Sequence, residues 1–163
     1  MSKVKLKVAM SPEEKAAALA LRKRVFVGEQ GLFEASDEDE YDGDAIHINA
    51  WRDDTVLMGT VRCFPDRSDQ GTWWGGRLAV DEAYRLRGVG VYLIEAAVEE
   101  MERLGTGRFL AWVQEQNVNL FRKLNWTTLE QKRIIQGREH YLMEAKLYVH
   151  DAQSHKRRRL AGS

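Results

Sequence analysis

A single cysteine, Cys63, stands in 163 residues, so no intramolecular disulfide can form and nothing supports a cysteine-based metal cluster. Without a partner pattern for nucleophilic chemistry, Cys63 reads as an inert buried thiol. No apolar run of about 18 residues could span a bilayer, and the charged N-terminus lacks the apolar stretch of a signal peptide. The expected location is the cytoplasm. Charge of one sign is also missing: 25 Lys and Arg balance 25 Asp and Glu, so no overall field draws the chain to nucleic acid or membrane. His47, His140, His150 and His155 show no metal-ligand spacing, and no metal site is expected.

The length fits one domain, over residues 1–149, which would bury roughly two-thirds of its unfolded surface. Residues 150–163 read as a disordered basic tail, because Lys156-Arg157-Arg158-Arg159 is too short a run to argue for nucleic-acid binding.

Val4, Leu6 and Val8 alternate with lysines and predict a strand. Ser11-Pro12-Glu13-Glu14 is a capping-box signature, predicting a helix that runs to about Val27 with Ala18, Leu21 and Val25 on one face. Arg22 and Arg24 read as solvated helix residues. Residues 45–51 and 56–64 predict a hairpin around Arg52-Asp53-Asp54-Thr55. Another strand is predicted from about Trp73 to Val80, with Gly75-Gly76 marking a bulge or a close backbone approach.

A helix over 88–104 should show Gly90, Ile94, Ala97, Met101 and Leu104 on one face, with Glu99 and Arg103 paired at i,i+4. Residues 108–114 then predict a strand parallel to the one ending at Val80. A short helix from Asn117 to Trp126 should carry an asparagine cap, and residues 127–135 and 140–149 a terminal hairpin around Gly137. His140 and Tyr141 read as structural.

Seven carboxylates crowd the stretch from Glu34 to Asp44. Calcium binding fails on pattern, since aligning Gly43 with the loop glycine of an EF-hand puts Asn49 where a bidentate glutamate is required. Two readings stay open: a solvated loop, or a substrate mouth that concentrates a cationic amine.

The stretch around which the chain is organised is Arg85-Leu86-Arg87-Gly88-Val89-Gly90. A strand, a polar turn and two glycines lead into a helix whose first N–H groups have no intrahelical acceptor. Glycine lets a ligand approach the backbone, and the helix dipole with Arg85 and Arg87 favours phosphate. The absent Gly-Lys-Ser/Thr ending excludes a P-loop, and the absent third glycine and ribose-binding acid exclude a Rossmann fingerprint.

Val80 with Arg85 to Gly90, together with Asn117 through Trp126, resembles the acetyl-CoA signature of the GNAT superfamily of N-acetyltransferases. The resemblance implies an α+β fold: a mixed, mostly antiparallel sheet with helices on both faces and splayed parallel strands 4 and 5. It implies that Arg85, Leu86, Arg87, Gly88, Val89 and Gly90 hold the pyrophosphate of coenzyme A, that Leu78, Ala79 and Val80 pair with pantetheine, and that the segment bearing Asn117 and Phe121 closes over it. Phe121 departs from the family's general-acid tyrosine, and Asn125 from its helix-ending glycine.

Arg22-x-x-Val25-Phe26-Val27-x-Glu29-Gln30 resembles the opening of certain GNAT subfamilies and of acyl-homoserine-lactone synthases. Together with the acidic stretch and Trp73 to Val80, it is most similar to a bacterial subfamily linked to nitrogen starvation and nitrilase-type gene clusters. The resemblance implies acetyl transfer from acetyl-CoA to an amine, and it allows a homodimer; the acidic stretch points to a small, cationic acceptor, and the expected base is Glu29 or a carboxylate of that stretch. A synthase-like acyltransferase and a non-catalytic acyl-CoA sensor are the alternatives.

Overall fold

Apolar residues alternating with lysines form β1 (Val4–Val8), which runs antiparallel to β2 (Ile46–Arg52). The computed structural model describes residues 4–151 and 156–159. Five further strands, β3 (Val56–Pro65), β4 (Thr72–Val80), β5 (Arg108–Gln114), β6 (Trp126–Ile135) and β7 (Arg138–Ala145), complete a seven-stranded sheet in the order β1-β2-β3-β4-β5-β7-β6. The sheet is mostly antiparallel. Its parallel pair is β4 with β5, registered from Thr72 opposite Arg108 to Gly75 opposite Ala111. The mixed sheet expected from the sequence is therefore present.

Two compact units divide the chain: residues up to Phe64 with Gly76–Ala97, and Pro65–Gly75 with the residues from Val98 on. In the first, α1 (Pro12–Arg22) begins at the predicted capping box. The N–H of Glu14 donates to Ser11 Oγ at 3.1 Å, while Glu14 Oε1 accepts from the N–H groups of Met10 and Ser11. Those two backbone donors, helped by Lys7, hold the Glu14 carboxyl down at about 2.

β3 is covered on both faces within this unit. Asn49, opposite Thr60, accepts from its hydroxyl and donates to the Glu14 carbonyl of α1. On the other face, a Cβ added at Gly59 would meet Leu93 and Val89 of α2 (Val89–Arg103) at 2.8 and 3.1 Å. Glycine there lets α2 lie close. The β2–β3 turn places Asp53 and Asp54 at φ 51° and 67°, the two positive values of a type I′ turn.

The first helix departs from expectation after Arg22. Residues Lys23–Glu29 wind as a π-helical segment, closed by the N–H of Gln30 on the Val25 carbonyl at 2.9 Å. Arg22 is also not solvated. It is fully buried, donating from Nε to Asp37 at 2.7 Å and from Nη1 and Nη2 to both oxygens of Asp42 at 2.7 and 3.1 Å.

Two further arginines join this network. Arg62 on β3 pairs with Asp39 and lies 3.3 Å from Asp42, and Arg77 on β4 reaches the Asp37 carbonyl at 2.9 Å and the Asp39 carboxylate at 3.3 Å. Arg77 holds this place at φ 49°, a left-handed conformation that a side chain rarely adopts inside a strand. Burial would raise the Asp42 carboxyl, but hydrogen bonds from Arg22 and the Asp39 N–H, with the charges of Arg22 and Arg62, hold it well below the carboxylate range. Burial and then the Arg22 charge push His47 down, so it stays neutral.

In the second unit, Gly75 is required by packing: an added Cβ would stand 2.9 Å from the buried Phe109 ring. The close approach read from Gly75-Gly76 is thus made by an aromatic side chain. At the end of α2, Arg103 pairs with Glu100 at i,i+3, not with Glu99, and Leu104 is exposed. Asn117 makes no side-chain cap: it closes a 3-10 turn, Glu115–Asn117, ahead of α3 (Val118–Lys123). Asn125 does take the left-handed conformation, at φ 72°. After β7, β8 (Tyr148–Asp151) pairs antiparallel with β9 (Lys156–Arg159), where a disordered tail was expected. Residues 152–155 and 160–163 of that tail lie outside the described residues.

Ser11→Ala should cost about 1 kcal/mol of stability in a denaturant titration, the usual value of a lost N-cap. Asp42→Asn should cost more, about 3 kcal/mol at neutral pH, because it leaves buried arginine charge uncompensated. A carboxyl lowered by folding stabilises above its unfolded value, ~4, and loses that contribution as pH falls further. The gap in melting temperature between wild type and Asp42→Asn should therefore narrow steadily below about pH 4; a gap unchanged with pH would refute the assignment.

Candidate functional site

Val80 ends β4 and Asp81 turns the chain. The N–H of Asp81 donates to the Met58 carbonyl at 2.7 Å, and its side chain accepts from Ala83 N–H at 2.9 Å, starting a 3-10 turn over Glu82–Arg87. Gly88 follows at φ 74°, which favours glycine, with open space where a Cβ would stand. The first described bond of α2 runs from Tyr92 N–H to the Gly88 carbonyl, so the N–H groups of Val89, Gly90 and Val91 precede the helical ladder.

Gly90 is a different case from Gly88. A Cβ there would meet only Val80 Cγ2, at an ordinary 3.8 Å, so neither packing nor backbone conformation demands glycine. What its small size leaves open is the approach to the helix start. Arg87 and Leu86 are exposed beside it, and Arg87 lies 5.7 Å from the Tyr84 ring centre. Ala79 is buried, while Leu78 and Val80 are half-buried. A pyrophosphate suits this arrangement of first-turn N–H groups, helix dipole and guanidinium groups.

The structure brings Glu29 to this turn. Glu29, the last residue of the π-helical segment, forms an ion pair with Arg85, whose Nε also donates to the Val80 carbonyl at 3.1 Å. Both side chains keep a third or so of their surface exposed, 31% and 40%. The second unit holds the other two predicted residues. Asn117 is exposed, and Phe121 is half-buried with its ring edge-to-face on Trp126, centres 5.2 Å apart.

The acidic stretch contains more internal structure than its composition suggested. Asp37, Asp39 and Asp42 are the partners of Arg22, Arg62 and Arg77, and Tyr41 stacks on Phe64 at 4.5 Å. These three carboxylates do not form an open cationic mouth. Glu34, Glu38, Glu40 and Asp44 remain exposed. Neither the arginine network nor the Glu29–Arg85 pair was read from the sequence; the available signal was Arg62 and Arg77 standing within otherwise apolar strands. Among the described residues, no group of three or more His, Cys, Asp or Glu could hold a metal, and no helix is long and apolar enough to cross a membrane.

Comparison with known proteins agrees with this geometry. The BSU40680 protein of Bacillus subtilis (strain 168), whose name assigns it provisionally as an acetyltransferase, is 30% identical over 136 residues, covering 82% of this chain and 90% of that protein. The crystal structure of an acyl-CoA N-acyltransferase from Pseudomonas aeruginosa superposes with a TM-score of 0.76 at 25% identity, over 89% of this chain and 99% of that one. A CoA-dependent acyl-homoserine lactone synthase, BjaI, solved with SAM and isopentyl-CoA, shares the fold at a TM-score of 0.72 and 17% identity, over 88% of this chain and 82% of that one. The Acetyltransferase (GNAT) family matches residues 14–126, across most of the chain, and the protein belongs to that family of acyl-CoA-dependent acyltransferases.

Proposed function

We propose that the protein is a cytoplasmic N-acetyltransferase, one GNAT domain over residues 1–149, that transfers acetyl from acetyl-CoA to the amine of a small acceptor. One observation carries this function: Gly88 and Gly90 leave the start of α2 open in front of the N–H groups that precede its helical ladder, with Arg85 and Arg87 beside it. Residues 85–90 would hold the pyrophosphate. Leu78 to Val80 would run beside pantetheine, with backbone N–H groups near Ala79 and Val80 directed at the thioester oxygen. Asn117 and Phe121 belong to the segment that would close over coenzyme A. No metal takes part.

Acetyl-CoA supplies an activated thioester carbonyl. The protein must supply a free amine, since an alkylamine with a pKa near ~10 is mostly protonated at neutral pH. Glu29 is the proposed base, at the end of the first helical stretch and exposed enough to meet an acceptor. No tyrosine acid is available at position 121, where the Phe121 ring packs on Trp126. A thiol titrating near ~8.5 leaves as thiolate without one. A cationic acceptor would be attracted by Glu34, Glu38, Glu40 and Asp44, the exposed carboxylates of the acidic stretch. Resemblance of the opening to the nitrogen-starvation and nitrilase-cluster subfamily supports a bacterial small-molecule role, and a homodimer is compatible with it.

Gly90→Val should fold, because the nearest atom leaves room for Cβ, yet weaken acetyl-CoA binding in calorimetry by about ten-fold or more. Unchanged affinity would remove the turn from the binding site. Glu29→Gln should lower kcat by about 100-fold with a panel of amines and abolish the acidic limb of kcat/KM against pH. Retention of that limb at near-wild-type rates would exclude Glu29 as base. Acetyl-CoA binding without thiol release on any amine would instead indicate a sensor, and a lactone product from SAM a synthase.

A further inference from the structure

Arg85 has two duties that compete. It belongs to the turn that would receive the pyrophosphate, and its guanidinium is engaged by the Glu29 carboxylate through Nη2 while Nε holds the Val80 carbonyl. The partner of Glu29 is thus an arginine of the glycine turn itself, three residues before Gly88. By contrast, Arg22, Arg62 and Arg77 are committed to Asp37, Asp39 and Asp42.

We infer that Arg85 is a positioning residue shared between Glu29 and the acyl-CoA pyrophosphate, so that seating the pyrophosphate releases the Glu29 carboxylate for the acceptor amine. This rests on the proposed function above. A doubly charged pyrophosphate outbids one carboxylate for the same guanidinium, because planar bidentate donors favour the ligand with more charge and more acceptor oxygens. The Nε bond to Val80 keeps the arginine at the turn during the exchange. Glu29 is held while the site lacks acyl-CoA and is freed when acyl-CoA is present, which imposes an order: acyl-CoA first, amine second.

The exchange predicts an effect on binding that a simple base would not have. Removing the carboxylate with Glu29→Gln should tighten acetyl-CoA binding by about two- to five-fold, the fold-change equivalent of a partly exposed ion pair. In an Arg85→Met background the same Glu29→Gln change should give no gain. Isothermal titration of acetyl-CoA into wild type, both single variants and the double variant reads this cycle directly, with circular dichroism checking that each is folded. Equal affinity of wild type and Glu29→Gln, or weaker binding by Glu29→Gln, overturns the inference. So does a gain that persists with Arg85→Met, which would mean plain repulsion between Glu29 and the anion. If wild type itself fails to bind acetyl-CoA, the proposed function falls. Binding that Gly90→Val weakens but Glu29→Gln leaves alone keeps the function and discards only the exchange.

Discussion

Burying a guanidinium costs several kcal/mol unless carboxylates accompany it, and Arg22 is fully buried. That requirement organises the first unit. Asp37 and Asp42 must come to Arg22, so the segment after the π-helical stretch folds back on the sheet. Asp39, drawn in with them, then meets Arg62 and Arg77. Arg77 accepts a left-handed backbone at β4 to make those contacts, and its guanidinium also lies 4.9 Å from the Phe33 ring centre. A strained residue in a strand persists only where its surroundings over-determine it, and here two carboxylates, a carbonyl and a ring do so.

The network changes what the acidic stretch can do. Three arginines facing three aspartates leave no local excess of negative charge there, so counting carboxylates overstates the field that a substrate would experience. Neutral His47, buried beside Arg22 and Asp42, adds nothing to it. Any attraction for a cationic amine therefore comes from the rim, Glu34, Glu38, Glu40 and Asp44. The aspartates of the interior contribute shape. They fix the loop through local bonds as well, such as the Asp39 N–H on Asp42 and the Tyr41 N–H on Asp39, both at 3.0 Å.

What the sequence made legible was local. Ser11 and Glu14 satisfy each other within one turn, so the start of α1 needed no knowledge of the fold. The turn at Asp53-Asp54, the glycines before α2 and left-handed Asn125 are likewise settled over a few residues. The partners of Arg22 lie 15 and 20 residues away, and Arg85 lies 56 residues from Glu29; no periodicity reports such pairings. Asn117 illustrates the opposite failure. Its type suits a cap, but a preceding 3-10 turn already gives it a helical backbone, and the cap geometry is lost.

The π-helical segment connects these two levels. Had α1 continued with α-helical winding, Glu29 would stand four residues from Val25 and seven from Arg22, on the face that both bury. A carboxylate there would sit beside Asp37 and Asp42 and repel them. Winding with i→i+5 bonds, seen in Gln30 to Val25, inserts an extra residue per turn and rotates Glu29 off that face. Arg22 can then keep its buried aspartates while Glu29, seven residues on, reaches the exposed Arg85 at the turn. One irregular helical turn thus separates a carboxylate available for exchange from the carboxylates that hold the fold.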